Sequence, residues 1–293
     1  MEVHQFGSGT PVVAVVACVH GDEVCGERAI QRVREADPDV RRPFLTVLAN
    51  EEAVERGVRY LDEDLNRAFP GDPNAATHEG RLAAELLEEL EDIPVLDLHS
   101  TLSTPEPFAL YQQLGQSSRR ILAACGVDHA VDISYVPGGL VGHVEGVAVE
   151  CGIKGTDAAA DAAEQLVWNV LAAMGAVDRR RVDSDPTVFE VNEVVDGSEY
   201  EFLGENFRLV ERGAAFARRD EHELRAETDF YPVLMSTDGY DDMVGFGASK
   251  LGPLSTIPDA IVDEGGRSGD ADAAGDGDDA DAAGDGDADD ISE

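Results

Sequence analysis

Apolar and polar positions alternate along the first 180 residues in two distinct rhythms. Residues 12–19, VVAVVACV, are a continuous small apolar run, the mark of a strand buried on both faces. Residues 23–36, EVCGERAIQRVREA, place apolar side chains at helical spacing, with Asp22 as the expected N-cap. The same alternation continues with a strand at 44–50, a helix at 78–92, a strand at 93–100 and a helix at 117–126 that stops at Gly126. A strand at 146–152 and a long helix at 158–175 complete it. Strands alternating with helices predict an α/β domain over 1–180 with a central mixed, largely parallel sheet flanked by helices.

Past residue 183 the pattern changes. Short β-like runs, TVFEVNEVV, FRLV and YPVLMS, are separated by Gly, Asp and Glu, and no long helical pattern follows. This predicts a smaller, mostly β C-terminal domain over 184–256. From 263 to 293 the chain is mostly Asp, Ala and Gly, with DADAAGDGD occurring twice in succession. The repeat lacks the GGxG turn and the apolar residue of calcium-binding nonapeptides, so a disordered, solvating acidic tail is expected.

Charge narrows the partners. Of 293 residues, 22 are Lys or Arg and 61 are Asp or Glu, a net charge of −39. Such a field repels nucleic acid and anionic membrane. The only lysines are Lys154 and Lys250. Acidic excess with so little lysine suggests a halophilic protein, where screening over roughly 3 Å at about 1 M salt removes the self-repulsion. The four cysteines form no CxxC pair and lie in apolar surroundings, as buried free thiols would. No secretory leader pattern and no membrane-length apolar run is read, so a cytoplasmic location is expected.

The chemistry concentrates at strand ends, where α/β sheets collect ligands. His20 and Glu23 follow the first apolar strand, Asp97 and His99 close IPVLDLHS, and Glu150 closes GVAVE. Two imidazoles and a carboxylate are a recurring catalytic zinc set with a fourth position left for water. His20, Glu23 and His99 supply it, which leaves Glu150 as a proton shuttle and Asp97 as an orienting group behind a ligand. The segment RYLDEDLNRAFPG, residues 59–71, adds Arg59, Asn66 and Arg67. Two guanidinium groups and an amide suit an anionic small molecule; equally, the arginines could pair with Asp62, Glu63 and Asp64 beside them. A nucleotide-binding reading fails, because no glycine-rich phosphate loop stands at a strand–helix junction.

Taken together, HGDE, RYLDEDLNRAFPG, DLHS and VAVECG resemble the motifs of the succinylglutamate desuccinylase/aspartoacylase family, in the same order across residues 12–152. The resemblance implies a zinc-carboxypeptidase-like fold, one zinc ion per chain, and hydrolysis of an N-acyl amino acid to a carboxylate and a free amino acid. It implies that His20, Glu23 and His99 hold zinc, that Glu150 and Arg59 are catalytic, and that Asn66 and Arg67 bind substrate. Aspartoacylases carry a further arginine before the catalytic glutamate, and ISYVPGGLVGHVEGVAVE holds none. Tyr240 is the nearest candidate for the family's C-terminal substrate tyrosine. A short peptide or another acylated small molecule is the alternative substrate, and a non-catalytic metal-binding protein the less favoured reading. Self-association is left open.

Overall fold

The computed structural model describes residues 1–237 and 242–258. The first half follows the expected rhythm: β1 (Glu2–Phe6), β2 (Ala14–Ala17), α1 (Cys25–Glu35), β3 (Phe44–Leu48), α2 (Glu51–Arg56), α3 (Leu65–Ala68), α4 (His78–Glu89) and β4 (Val95–Thr101). Then come β5 (Phe108–Tyr111), α5 (Gln116–Cys125), β6 (His129–Asp132), β7 (Gly146–Ile153) and α6 (Asp157–Ala173). The remaining elements are strands, β8 (Thr187–Asp196), β9 (Glu201–Phe202), β10 (Ala215–Arg219), β11 (His222–Arg225), β12 (Tyr231–Val233) and β13 (Met243–Pro253).

Among the described residues ten strands form one mixed sheet, in the order β1-β3-β2-β4-β7-β5-β6-β8-β13-β12. Strands β3, β2, β4 and β7 run parallel, β5 joins β7 antiparallel, and β6 and β8 continue parallel to β5. The central strands are buried on both sides, which is why VVAVVACV needs no polar position. One face packs on α1, α5 and α6 through Ile30, Val33, Leu122, Val167 and Leu171; the other packs on α4 through Leu82 and Leu86. Gly26 is what lets α1 approach so closely: a Cβ there would lie 2.6 Å from Ala17 Cβ.

Three expectations change here. The boundary placed between 180 and 184 is not a break in the sheet, since β8 pairs with β6, and β13 pairs with β8, extending the same layer. Met1–Ala260 pack as one compact unit. Among the described residues only β9, β10 and β11 make a separate small sheet. Asp22 does not cap α1: the N-cap is Val24, with no side-chain bond, and Asp22 Oδ2 instead accepts from Lys154 Nζ at 2.8 Å. FRLV is no strand; it contributes one bridge, Val210 to Phe230. The acidic stretch 263–293 and Tyr240 lie outside the described residues. All four cysteines are buried free thiols. No described helix is long and apolar enough to cross a membrane.

Candidate metal centre

The parallel trio β2, β4 and β7 brings three carboxyl ends side by side. Register pairs Ala17 with Leu98, and His99 with Glu150. Beyond β2 the chain turns sharply through Cys18, at φ 58°, and delivers His20 and Glu23 over the end of β4. Gly21 packs against α2, where a Cβ would sit 2.3 Å from the Ala53 carbonyl carbon. Its N–H donates to Arg59 O at 3.0 Å. The turn and the Arg59 segment are thereby joined through their backbones.

The sequence-predicted ligands converge. His20, Glu23 and His99 are 4%, 4% and 5% exposed, and one ligand atom from each lies within 4.8 Å of the others. His20 Nδ1 is 2.9 Å from Glu23 Oε1, and His99 Nδ1 is 3.0 Å from Glu23 Oε2. The outer ring nitrogens also face carboxylates: His99 Nε2 is 2.9 Å from Asp97 Oδ2, and His20 Nε2 is 3.2 Å from Asp64 Oδ1. Ser100 N–H donates to Glu23 Oε2 at 3.2 Å.

A neutral imidazole has one N–H and one lone pair. His99 meets only carboxylate oxygen at its two nitrogens, so one of its lone pairs faces an anion unless a proton or a cation intervenes, whereas His20 Nε2 also lies 2.9 Å from Arg59 Nη2. Two Nδ1 atoms and a carboxylate around one point, with carboxylates behind both rings, fit a divalent ion held as zinc is held. Burial alone pushes the Glu23 carboxyl up, but His20 and His99 outweigh it and hold Glu23 well below the usual carboxylate range.

Glu150 stands beside this cluster. Burial pushes its carboxyl up to about 7, while the neighbouring His99 pulls the other way. Its Oε2 is buried and has no hydrogen-bond partner among the described residues. It is free to take and release a proton.

Arg59 is engaged more heavily than an open substrate clamp would be. Its Nη1 donates to Glu23 Oε1 at 3.0 Å, its Nε and Nη2 to Asp64 Oδ2 at 3.3 and 3.2 Å, and its Nη2 lies 2.9 Å from His20 Nε2. Of the two readings left open from sequence, pairing with a nearby carboxylate describes Arg59, and Asp64 is the partner. Arg67 differs: it is exposed and makes no ion pair among the described residues. Asn66 Oδ1 is buried without a partner, next to the Gly138–Gly139 turn. Asp64, which the sequence offered only as an ion-pair candidate, holds both His20 and Arg59 and caps α3 by accepting from Asn66 N–H at 2.9 Å.

The model of the succinylglutamate desuccinylase/aspartoacylase catalytic domain matches residues 9–153, the stretch that carries all of these groups. The chain belongs to this family. A protein of Nostoc sp. named "Probable aspartoacylase" is 32% identical over 120 residues, covering 33% of this chain and 41% of that protein. An N-acyl-aromatic-L-amino acid amidohydrolase (carboxylate-forming) of Xenopus laevis is 34% identical over 105 residues, covering 31% of this chain and 34% of the relative. The matched stretches thus span well under half of either relative. The crystal structure of a succinylglutamate desuccinylase/aspartoacylase from Rhodobacter sphaeroides superposes with a TM-score of 0.68 at 19% identity, covering 85% of this chain and 88% of that one. At that identity the likeness speaks for the fold.

Proposed function

We propose that the protein is a zinc-dependent amidohydrolase that cleaves an N-acyl amino acid into a carboxylate and a free amino acid. The observation that carries the reading is the convergence of both histidine Nδ1 atoms on the Glu23 carboxylate beside Glu150, whose buried Oε2 has no partner among the described residues. His20, Glu23 and His99 would hold the ion. Once bound, such an ion supplies Lewis acidity for a carbonyl oxygen and lowers the pKa of a coordinated water.

The rest is done by side chains of this chain. Glu150 Oε2 accepts the proton of the attacking water and returns it to the departing amine, a task suited to a carboxyl lifted to about 7. Arg59, whose side chain is 41% exposed, has one Nη1 N–H beyond the contacts above to meet the oxyanion that develops on the scissile carbonyl. Arg67 and Asn66 would bind the substrate carboxylate, Arg67 through an exposed guanidinium with no ion pair among the described residues and Asn66 by donating from Nδ2. Tyr240, outside the described residues, stays a candidate substrate contact. Proximity of bound substrate to Glu150 converts an intermolecular proton transfer into an intramolecular one.

The test is a panel of N-acetyl, N-succinyl and N-benzoyl amino acids and dipeptides, assayed for released amino acid in about 3 M KCl, where surface repulsion is screened. Turnover of N-acyl amino acids supports the reading. Turnover of dipeptides alone moves the substrate to short peptides. Absence of turnover across the panel by metal-loaded protein leaves a metal-binding protein without catalysis.

A further inference from the structure

Glu79 was not among the residues the sequence marked, yet it is fully buried, at 0% exposure. Its Oε1 accepts from Asn50 Nδ2 at 3.0 Å and from Leu61 N–H at 2.7 Å. Its Oε2 accepts from Asp62 N–H at 3.0 Å and from Glu63 N–H at 3.3 Å. No cation touches it among the described residues. Four neutral donors and the first turn of α4 hold the charge instead, and the helix N-terminus favours an anion there.

The bonding runs both ways. His78 N–H donates to Asp62 Oδ2 at 2.7 Å, and Thr77 Oγ1 donates to Glu63 Oε1. Residues 61–63 are therefore locked onto the start of α4. Arg59 lies two residues before this lock and Asp64, its guanidinium partner, one residue after it. The Arg59 carbonyl is tied from the other side by Gly21 N–H at 3.0 Å.

We propose that Glu79 is a positioning residue that sets the place of Arg59 over the metal cluster by gripping the backbone amides of Leu61, Asp62 and Glu63. Both carboxylate oxygens are needed, because each takes two donors. A glutamine of the same volume offers one oxygen and turns an NH2 group toward amide N–H groups, leaving two donors unmet. Glu79 touches no reacting atom; it acts through the backbone on Arg59. This rests on the hydrolase reading for its effect on rate, but not for its effect on the segment itself.

The experiment uses the full-length, metal-loaded chain carrying Glu79→Gln, with hydrogen–deuterium exchange followed in peptides covering 59–67. Exchange at 61–63 is expected to rise about tenfold or more, the factor for one lost hydrogen bond, with α1 and α6 unchanged. On the best substrate, kcat is expected to fall about tenfold or more while KM moves less than about threefold and bound metal is unchanged, since an oxyanion contact acts in the transition state. In an Arg59→Ala background the same substitution is expected to lower kcat by less than about twofold, because the two act as one unit. Glu79→Asp, which keeps both oxygens, recovers part of the protection and of the rate; it carries the test if Glu79→Gln does not fold. Unchanged exchange at 61–63, faster exchange throughout the chain, or a full kcat loss persisting in the Arg59→Ala background would each overturn the proposal. A wild-type chain without turnover overturns the hydrolase reading instead, and exchange at 61–63 still decides the role of Glu79.

Discussion

Substituting Gly21 with alanine tests the packing that aims His20. The new Cβ would lie 2.3 Å from the Ala53 carbonyl carbon, 2.5 Å from Val54 N and 2.6 Å from Ala53 Cβ. Ordinary contact begins near 3.4 Å, so turn and helix must separate by about 1 Å. Neither side is the free end of a flexible side chain. α2 is capped by Asn50, whose side chain accepts from Ala53 N–H, and the turn is tied to Arg59. Overpacking typically costs 1–3 kcal/mol, and two backbones in contact put this case at about 3 kcal/mol. At ~2–4 °C per kcal/mol for a chain of this size, the melting temperature falls by about 6–12 °C. A displacement of about 1 Å at a catalytic group lowers the rate roughly a hundredfold. Melting and kcat are measured on metal-loaded protein, beside Gly57→Ala, where a Cβ meets nothing within 4 Å but φ is +64°. That control is expected to lose only about 1–2 kcal/mol from the left-handed backbone, with kcat intact. A Gly21→Ala protein that melts and turns over like wild type refutes the argument.

Further outcomes follow for Asp97, for Glu150 and for the overall charge. Asp97→Asn removes the charge 2.9 Å behind His99 Nε2 and is expected to weaken zinc binding about 10–100-fold, read by competition with a chelator; unchanged affinity contradicts it. Glu150→Gln is expected to keep the metal and lower kcat by roughly 10²–10⁴. Its stability effect has a defined sign. The folded carboxyl sits at about 7, above its ordinary value, so its contribution is full below about pH 4.5 and is lost as pH rises through 7. In metal-free protein the substitution is expected to stabilise by about 3 kcal/mol at pH 8 and by nothing at pH 4, measured by urea denaturation; an equal effect at both pH values contradicts it. Finally, a net charge of −39 predicts that the melting temperature rises steadily between about 0.1 M and 3 M KCl, and a flat profile removes the halophilic reading.

Long patterns were legible and short or long-range ones were not. VVAVVACV and HEGRLAAELLEELED have enough residues for their period to declare itself, and they became β2 and α4. FALY and HAVD are four-residue strands whose place in the sheet depends on neighbours far along the chain. Asp22 looked like a cap because capping is local, whereas its partner, Lys154, is 132 residues away. The mostly β texture after residue 183 was read correctly, but texture does not say which sheet a strand joins, and β8 and β13 extend the first. The His20, Glu23 and His99 cluster was legible because its motifs mark strand ends. Glu79 was not, since a glutamate near a helix start is ordinary until 61–63 fold against it.

The account stands on His20, Glu23 and His99 sharing one ion. Elemental analysis of protein purified without added metal, beside His99→Ala and Glu150→Gln, tests this directly. The prediction is about one zinc per chain in wild type and in Glu150→Gln, and almost none in His99→Ala. Metal-free wild type that takes up no zinc on titration, or His99→Ala that retains a full equivalent, would contradict it.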